Sequence, residues 1–116
     1  MPAPVLDTQK GASLGIIAFG SSVTAIDEAR HQLKERGIVT DFLRVRAVPF
    51  AVEIGNFIRS HEHNYVVEMN RDGQLHQLLT LEYPELATRL ISAAYTDGLP
   101  LTARMVREAI LYHEEK

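Results

Sequence analysis

A chain of 116 residues, 46% hydrophobic and 23% charged, has room for one domain that buries roughly two-thirds of its unfolded surface. Twelve Lys and Arg against fifteen Asp and Glu leave a net charge of −3 with no basic cluster, which argues against a nucleic-acid partner. With no cysteine, the chain can form no disulfide, use no thiolate and hold no iron–sulfur cluster of its own.

No apolar run approaches the ~20 residues of a membrane span, and "MPAPVLDTQKG" lacks the charged start and apolar core of a signal peptide. A soluble, cytoplasmic chain is expected. Residues 1–12, with Pro2, Pro4 and Gly11, read as a tail or one short edge strand, and residues 13–116 as the domain. "SLGIIAF", Ser13 to Phe19, is a nearly continuous apolar run of the kind that suits a strand buried on both faces. In "GSSVTAIDEARHQLKERG", Ser22 or Thr24 can cap a helix whose apolar positions Val23, Ile26, Ala29 and Leu33 recur every three or four residues. Gly37 fits the left-handed residue that stops it.

A second strand is expected over Ile38–Val48, where polar residues alternate with apolar ones and suggest a place near the sheet edge; Pro49 ends it. "PFAVEIGNFIRSHEH" has helical spacing at Phe50, Ile54, Phe57 and Ile58. "NYVVEM" reads as a third strand, and "GQLHQLLTLEYPEL" as a helix through Leu75, Leu78 and Leu79 that Pro84 breaks or turns. Arg89–Ala94 is a fourth strand, and Thr102 caps a last helix through Val106, Ile110 and Leu111. Strands alternating with helices imply right-handed crossovers, hence a three-layer α/β/α sandwich around a mostly parallel sheet of four or five strands. The first and third parallel strands should be central, with ligands outside their carboxyl ends. "GSS" and "EMNRDGQ" would share that rim.

Each candidate on the rim has two readings. Ser21 and Ser22 either cap the helix or, with its free amides, cradle an anion. No dinucleotide or phosphate-loop pattern accompanies them, and "GSSVT" is not the Gly-x-Ser-x-Gly of a nucleophile elbow. Glu68 is a general base or a tether for the backbone of the neighbouring GSS turn. Asn70 and Gly73 shape a turn, and with Gln74 they otherwise offer contacts to a ligand or partner. Arg44 and Arg46, on one side of their strand, either discourage edge pairing or grip an anion or a partner's carboxylates. His61 and His63 in "HEH" read as a solvated helix end, because a metal site would need a third ligand from elsewhere.

Four segments, "IIAFGSSVTAIDEA", "LRVRAVPF", "VVEMNRDGQL" and "YTDGLPLTARMVREAI", resemble the C-terminal domain of the α subunit of 2-oxoacid:ferredoxin oxidoreductases, the 2-oxoglutarate type in particular. That domain is similar to the transketolase C-terminal domain. The resemblance runs from about Leu14 to Ile110 and is most specific at Gly20-Ser21-Ser22, Arg46…Pro49-Phe50, Glu68-x-Asn70-x-x-Gly73-Gln74-Leu75 and Asp97-Gly98-x-Pro100-Leu101. Met69 stands where the family carries a polar residue, which removes one hydrogen-bonding group from the rim. In relatives an antiparallel edge strand precedes the first parallel one; here only Pro4–Asp7 could supply it, and its presence is left open.

The resemblance implies a complete enzyme that converts a 2-oxoacid and CoA to acyl-CoA and CO2 while reducing ferredoxin. Thiamine diphosphate and magnesium lie between a pyrimidine-binding domain and a thiamine-binding β subunit, and iron–sulfur clusters carry the electrons. This chain would bind none of these cofactors, carry no catalytic residue and no metal, and serve assembly. Apolar area uncovered by missing neighbours would favour self-association, a homodimer being the simplest form. The competing class is a stand-alone module binding a small anionic metabolite or nucleotide at the GSS/MNRDGQ rim.

Overall fold

Apolar runs and helical stripes resolve into two cores separated by one sheet. The computed structural model describes residues 5–19, 23–45, 52–69, 73–95 and 101–114. Its strands are β1 (Val5–Asp7), β2 (Leu14–Phe19), β3 (Thr40–Val45), β4 (His63–Glu68) and β5 (Leu90–Ala94). Its helices are α1 (Val23–Glu35), α2 (Val52–Arg59), α3 (Gln74–Glu82) and α4 (Ala103–Glu114), with a 3-10 turn over Pro84–Arg89. The sheet order is β1-β3-β2-β4-β5. β2 through β5 are parallel to their neighbours, and β1 is antiparallel to β3.

Alternation along the strands divides the apolar residues between the two faces. Leu14, Ile16, Ala18, Phe42, Tyr65 and Val67 pack against Ile26, Ala29 and Leu33 of α1 and Val106, Ile110 and Leu111 of α4. Ile17, Leu43, Val45 and Val66 pack against Ile54, Phe57 and Ile58 of α2 and Leu75 and Leu79 of α3. The three layers and the central β2 and β4 are those the sequence predicts.

Local signals hold as well. Gly37 has φ +87, and the amides of Gly37 and Ile38 donate to the carbonyls of Lys34 (3.0 Å) and Leu33 (2.9 Å). That paired pattern closes a helix on a left-handed residue. Thr102 Oγ1 accepts from the Met105 amide at 3.2 Å and caps α4.

Two expectations are corrected. The edge strand left open is present: Val5 lies opposite Arg44 and Asp7 opposite Phe42. Arg30 of α1 holds it, donating to the Asp7 carboxylate (2.8 Å) and carbonyl (3.2 Å) and to the Thr40 hydroxyl (3.0 Å) and carbonyl (2.8 Å). β3 is therefore paired on both sides, and Arg44 is no edge charge. The "HEH" segment is not a solvated helix end either. α2 stops at Arg59, His61 is 3% exposed, and His63 opens β4.

Candidate functional site

Parallel pairing brings the ends of β2, β3, β4 and β5 to one edge, and the chain turns in opposite directions from β2 and β4. That is the switch point where open α/β sheets take ligands. Ser21, Ser22, Arg46 and Asn70 lie outside the described residues. Glu68, Gly73 and Gln74 are described and sit together at the end of β4 and the start of α3.

Glu68 is 8% exposed and already engaged. Its carboxylate accepts from the amides of Leu75 (2.8 Å) and His76 (3.2 Å), and its carbonyl from the Tyr95 amide (2.9 Å). Gly73 occupies the cap position of α3 with φ 65 and ψ 44 and supplies no side-chain cap. A left-handed backbone suits glycine, and Glu68 reaches over to satisfy the first-turn amides instead. An anionic group there also meets the positive end of the helix dipole. The Glu68 carboxylate thus holds α3, and the tether to the GSS turn expected of it concerns Gly20, Ser21 and Ser22, which lie outside the described residues. Gln74 is exposed beside it, and Arg44 is half-buried on β3.

A second polar assembly lies at the opposite, amino end of the sheet. Gly15, Asp41 and Asn64 are aligned across β2, β3 and β4. His61 Nε2 lies 2.8 Å from Asp41 Oδ2, while Nδ1 lies 2.8 Å from the Phe57 carbonyl and 3.1 Å from Asn64 Oδ1. Asn64 Nδ2 faces the carbonyls of Ile58 (3.0 Å), His61 (3.2 Å) and Arg89 (3.2 Å), which fixes its oxygen toward the ring. Both ring nitrogens therefore face oxygen acceptors. Asp41 also accepts from the Gln9 amide at 2.7 Å. The assembly fits because position 15 is glycine: a Cβ there would lie 2.3 Å from Asn64 Oδ1 and 2.8 Å from His61 Nδ1.

An Asp–His pair invites a catalytic reading, but this one is sealed. Its imidazole side chain is 2% exposed and every partner is structural. On the other face, Glu114 accepts from the Tyr65 hydroxyl and lies 2.7 Å from His63 Nδ1. Burial, and then the adjoining Glu114 carboxylate, hold the Tyr65 phenol well above its ordinary value of 10.0. His61 and His63 thus serve different partners, and no group of three His, Cys, Asp or Glu among the described residues fits a metal ion. Sequence reasoning missed all three amino-end ties. A glycine inside the buried run of β2 was the one available signal of close approach.

Solved structures with this architecture include the 2-oxoglutarate:ferredoxin oxidoreductase from Magnetococcus marinus, determined with 2-oxoglutarate, coenzyme A and succinyl-CoA bound. The match has a TM-score of 0.78 and 22% identity over 97% of this chain and 20% of that one. A split-gene transketolase, an inactive β4 tetramer, matches at a TM-score of 0.73 and 21% identity over 89% of this chain and 38% of that one. The α chain of a probable 2-oxoacid ferredoxin oxidoreductase from Thermoplasma acidophilum matches at 0.61 and 23% identity over 98% of both chains. The chain therefore spans about a fifth of the first of these and well under half of the second. No protein-family model and no curated protein matches it. The shared fold is that of a transketolase C-terminal-like domain.

Proposed function

We propose that this chain is a non-catalytic assembly domain of a thiamine-diphosphate-dependent 2-oxoacid:ferredoxin oxidoreductase, belonging to its α subunit and working in the cytoplasm. The carrying observation is the match over 97% of this chain but only 20% of the Magnetococcus marinus chain, beside an α chain matched over 98% of its length. The complete enzyme would convert a 2-oxoacid, 2-oxoglutarate in this reading, and CoA to acyl-CoA and CO2, with ferredoxin reduced. The partners would be the thiamine-binding β subunit and the pyrimidine-binding domain.

This reading places the cofactors of such an enzyme in its other parts. Iron–sulfur clusters need thiolates, and the sequence has no Cys. The Glu68 carboxylate, the best-placed acid, is consumed by α3.

What the chain offers instead is surface. Leu78 and Leu81 of α3 are 49% and 78% exposed, and Val52 at the start of α2 is 70% exposed. Gln74 lies at the start of the same α3. A partner domain laid along α3 would cover the leucines and meet Gln74.

The test is reconstitution with the thiamine-binding subunit and the pyrimidine-binding domain. The isolated chain should turn over no 2-oxoacid, and the mixture should elute as a complex that oxidises 2-oxoglutarate. Gln74→Arg, at an exposed position, should weaken the complex without unfolding the chain. Glu68→Lys is unsuitable, because it strips the cap from α3 and sets a cation at a positive helix end. Turnover by the chain alone would overturn the proposal.

A further inference from the structure

The two edges of the sheet are finished differently. β1 is three residues long, ends in Asp7 and is held down by Arg30. β5 reads LISAA, with no charge and no proline, and pairs with β4 alone. Shortness, charge and proline are the usual means of blunting an edge, because open N–H and C=O groups invite another strand. β5 has none of the three.

The ladder decides which of its groups are open. The Tyr95 amide donates to the Glu68 carbonyl, so Ile91, Ala93 and Tyr95 turn their main chain toward β4. Leu90, Ser92 and Ala94 therefore turn theirs outward. Leu90 is engaged: its amide donates to the Ala87 carbonyl, and its own carbonyl lies 3.4 Å from His76 Nε2. The N–H and C=O of Ser92 and of Ala94 have no partner among the described residues.

We propose that β5 pairs antiparallel with β5 of a second copy of this chain, Ser92 opposite Ala94 of that copy, about a two-fold axis beside Ala93. In this register Ser92 and Ala94 exchange both their bonds across the axis. All four open groups on each chain are then satisfied, and Leu90 keeps the contacts it has. An axis one residue earlier would set Ala94 against the engaged Leu90 instead.

The side chains agree with the same register. Ile91 falls opposite Tyr95 of the second copy, twice by symmetry, and both are half-buried among the described residues. The Tyr95 hydroxyl donates to the Met105 carbonyl at 2.9 Å, which fixes its ring. Aromatic against β-branched is a favourable cross-strand pair, and Ser92, Ala93 and Ala94 put no bulk at the axis. One strand supplies both members of every pair, the self-complementarity that a two-fold interface requires. That selects a second copy over an unrelated strand. α4 adds to the seam: Arg107 and Gln32 tie one side of it to α1, and Met105, Ala109 and Tyr112 recur at helical spacing on the other. Such a seam is smaller than the roughly 1,600 Å2 of a standard interface, so the dimer should be weak and depend on concentration.

The experiment follows the chain alone from about 10 μM to about 1 mM, by sedimentation equilibrium and by amide hydrogen exchange. The mass should rise from 13.0 kDa toward twice that value. Exchange at the Ser92 and Ala94 amides should slow in step with it. Ser92→Pro removes an outward N–H, which an edge strand tolerates, and should weaken the dimer about tenfold or more. Ser92→Lys, at an exposed position, should do the same without touching the main chain. Leu6→Lys, on the opposite edge, should leave the dimer unchanged. A mass of one chain throughout, association that leaves the Ser92 and Ala94 amides unprotected, full association of both Ser92 variants, or loss of the dimer in Leu6→Lys would each overturn the proposal. No other subunit enters this test, so its failure leaves the assembly role standing.

Discussion

At the amino end of the sheet, Arg30 joins α1 to β1 and β3, His61 joins α2 to β3 and β4, and Glu114 joins α4 to β4. At the carboxyl end, the ties among the described residues are Glu68, which joins β4 to α3, and the Tyr95 hydroxyl, which donates to the Met105 carbonyl at 2.9 Å and joins the end of β5 to α4. Among the described residues, the same parallel strands thus have one end cross-linked by side chains far apart in sequence and the other tied between near neighbours in the chain. Open α/β sheets place function at the carboxyl end, where loops must be free to vary between relatives. The long-range polar ties at the opposite end let the frame hold its shape whatever the rim is asked to do.

The comparison breaks if the two ends prove equally costly to disturb. Asp41→Ala should have the largest effect, since it leaves the buried His61 Nε2 and the Gln9 amide both without their hydrogen-bond partner. Each polar group left unsatisfied costs about 1–3 kcal/mol, read as a lower urea midpoint at unchanged slope. Glu68→Ala removes two charge-assisted bonds to α3 and should cost about 2 kcal/mol. Hydrogen exchange should show the loss concentrated in the first turn of α3. A Glu68 variant as damaging as Asp41→Ala would erase the distinction between the ends.

Tyr65 sharpens the amino-end account through pH. Its phenol is held above 10.0 in the folded chain, so the folded state keeps a proton that the unfolded state releases. Stability from this group is complete below pH 10 and falls as pH rises beyond it, by up to about 1.4 kcal/mol per pH unit. Tyr83 and Tyr95 are shifted the same way, by burial first. Tyr65→Phe should cost about 1–2 kcal/mol at neutral pH and reduce, without abolishing, the alkaline decline. An unchanged alkaline limb would mean that the Tyr65–Glu114 contact is not formed in solution.

What could be read from the sequence divides along the same line. The buried run of β2, the stop at Gly37 and the cap at Thr102 are local chemistry, and all three elements were legible from a few neighbouring residues. The reading of Arg44 as an edge charge failed because β1 has three residues in a proline-containing segment and no periodicity to reveal it. His61 was taken for a solvated helix end because the apolar spacing of Phe57 and Ile58 leads straight to it. Its burial depends on the missing side chain of Gly15, which belongs to another strand. Glu68 lay between: a carboxylate at a strand end was visible, but the α3 amides that take it depend on how the turn at Gly73 folds back. Ser21, Ser22, Arg46 and Asn70 fall outside the described residues, so the rim keeps its sequence-level reading.

The smallest effect on stability should come from the surface that the assembly role requires. α3 is anchored at the carboxyl end by Glu68 and turns Leu78 and Leu81 outward. Leu81→Gln removes apolar area already in water, so the unfolding free energy should change by no more than about 0.5 kcal/mol. Capture by the thiamine-binding subunit should nevertheless weaken by about tenfold, because a leucine buried on association contributes roughly 1.5–3 kcal/mol. If Leu81→Gln binds as the parent chain does, while Gln74→Arg still disrupts the complex, the partner touches only the start of α3. Its interface would then lie at the carboxyl rim alone.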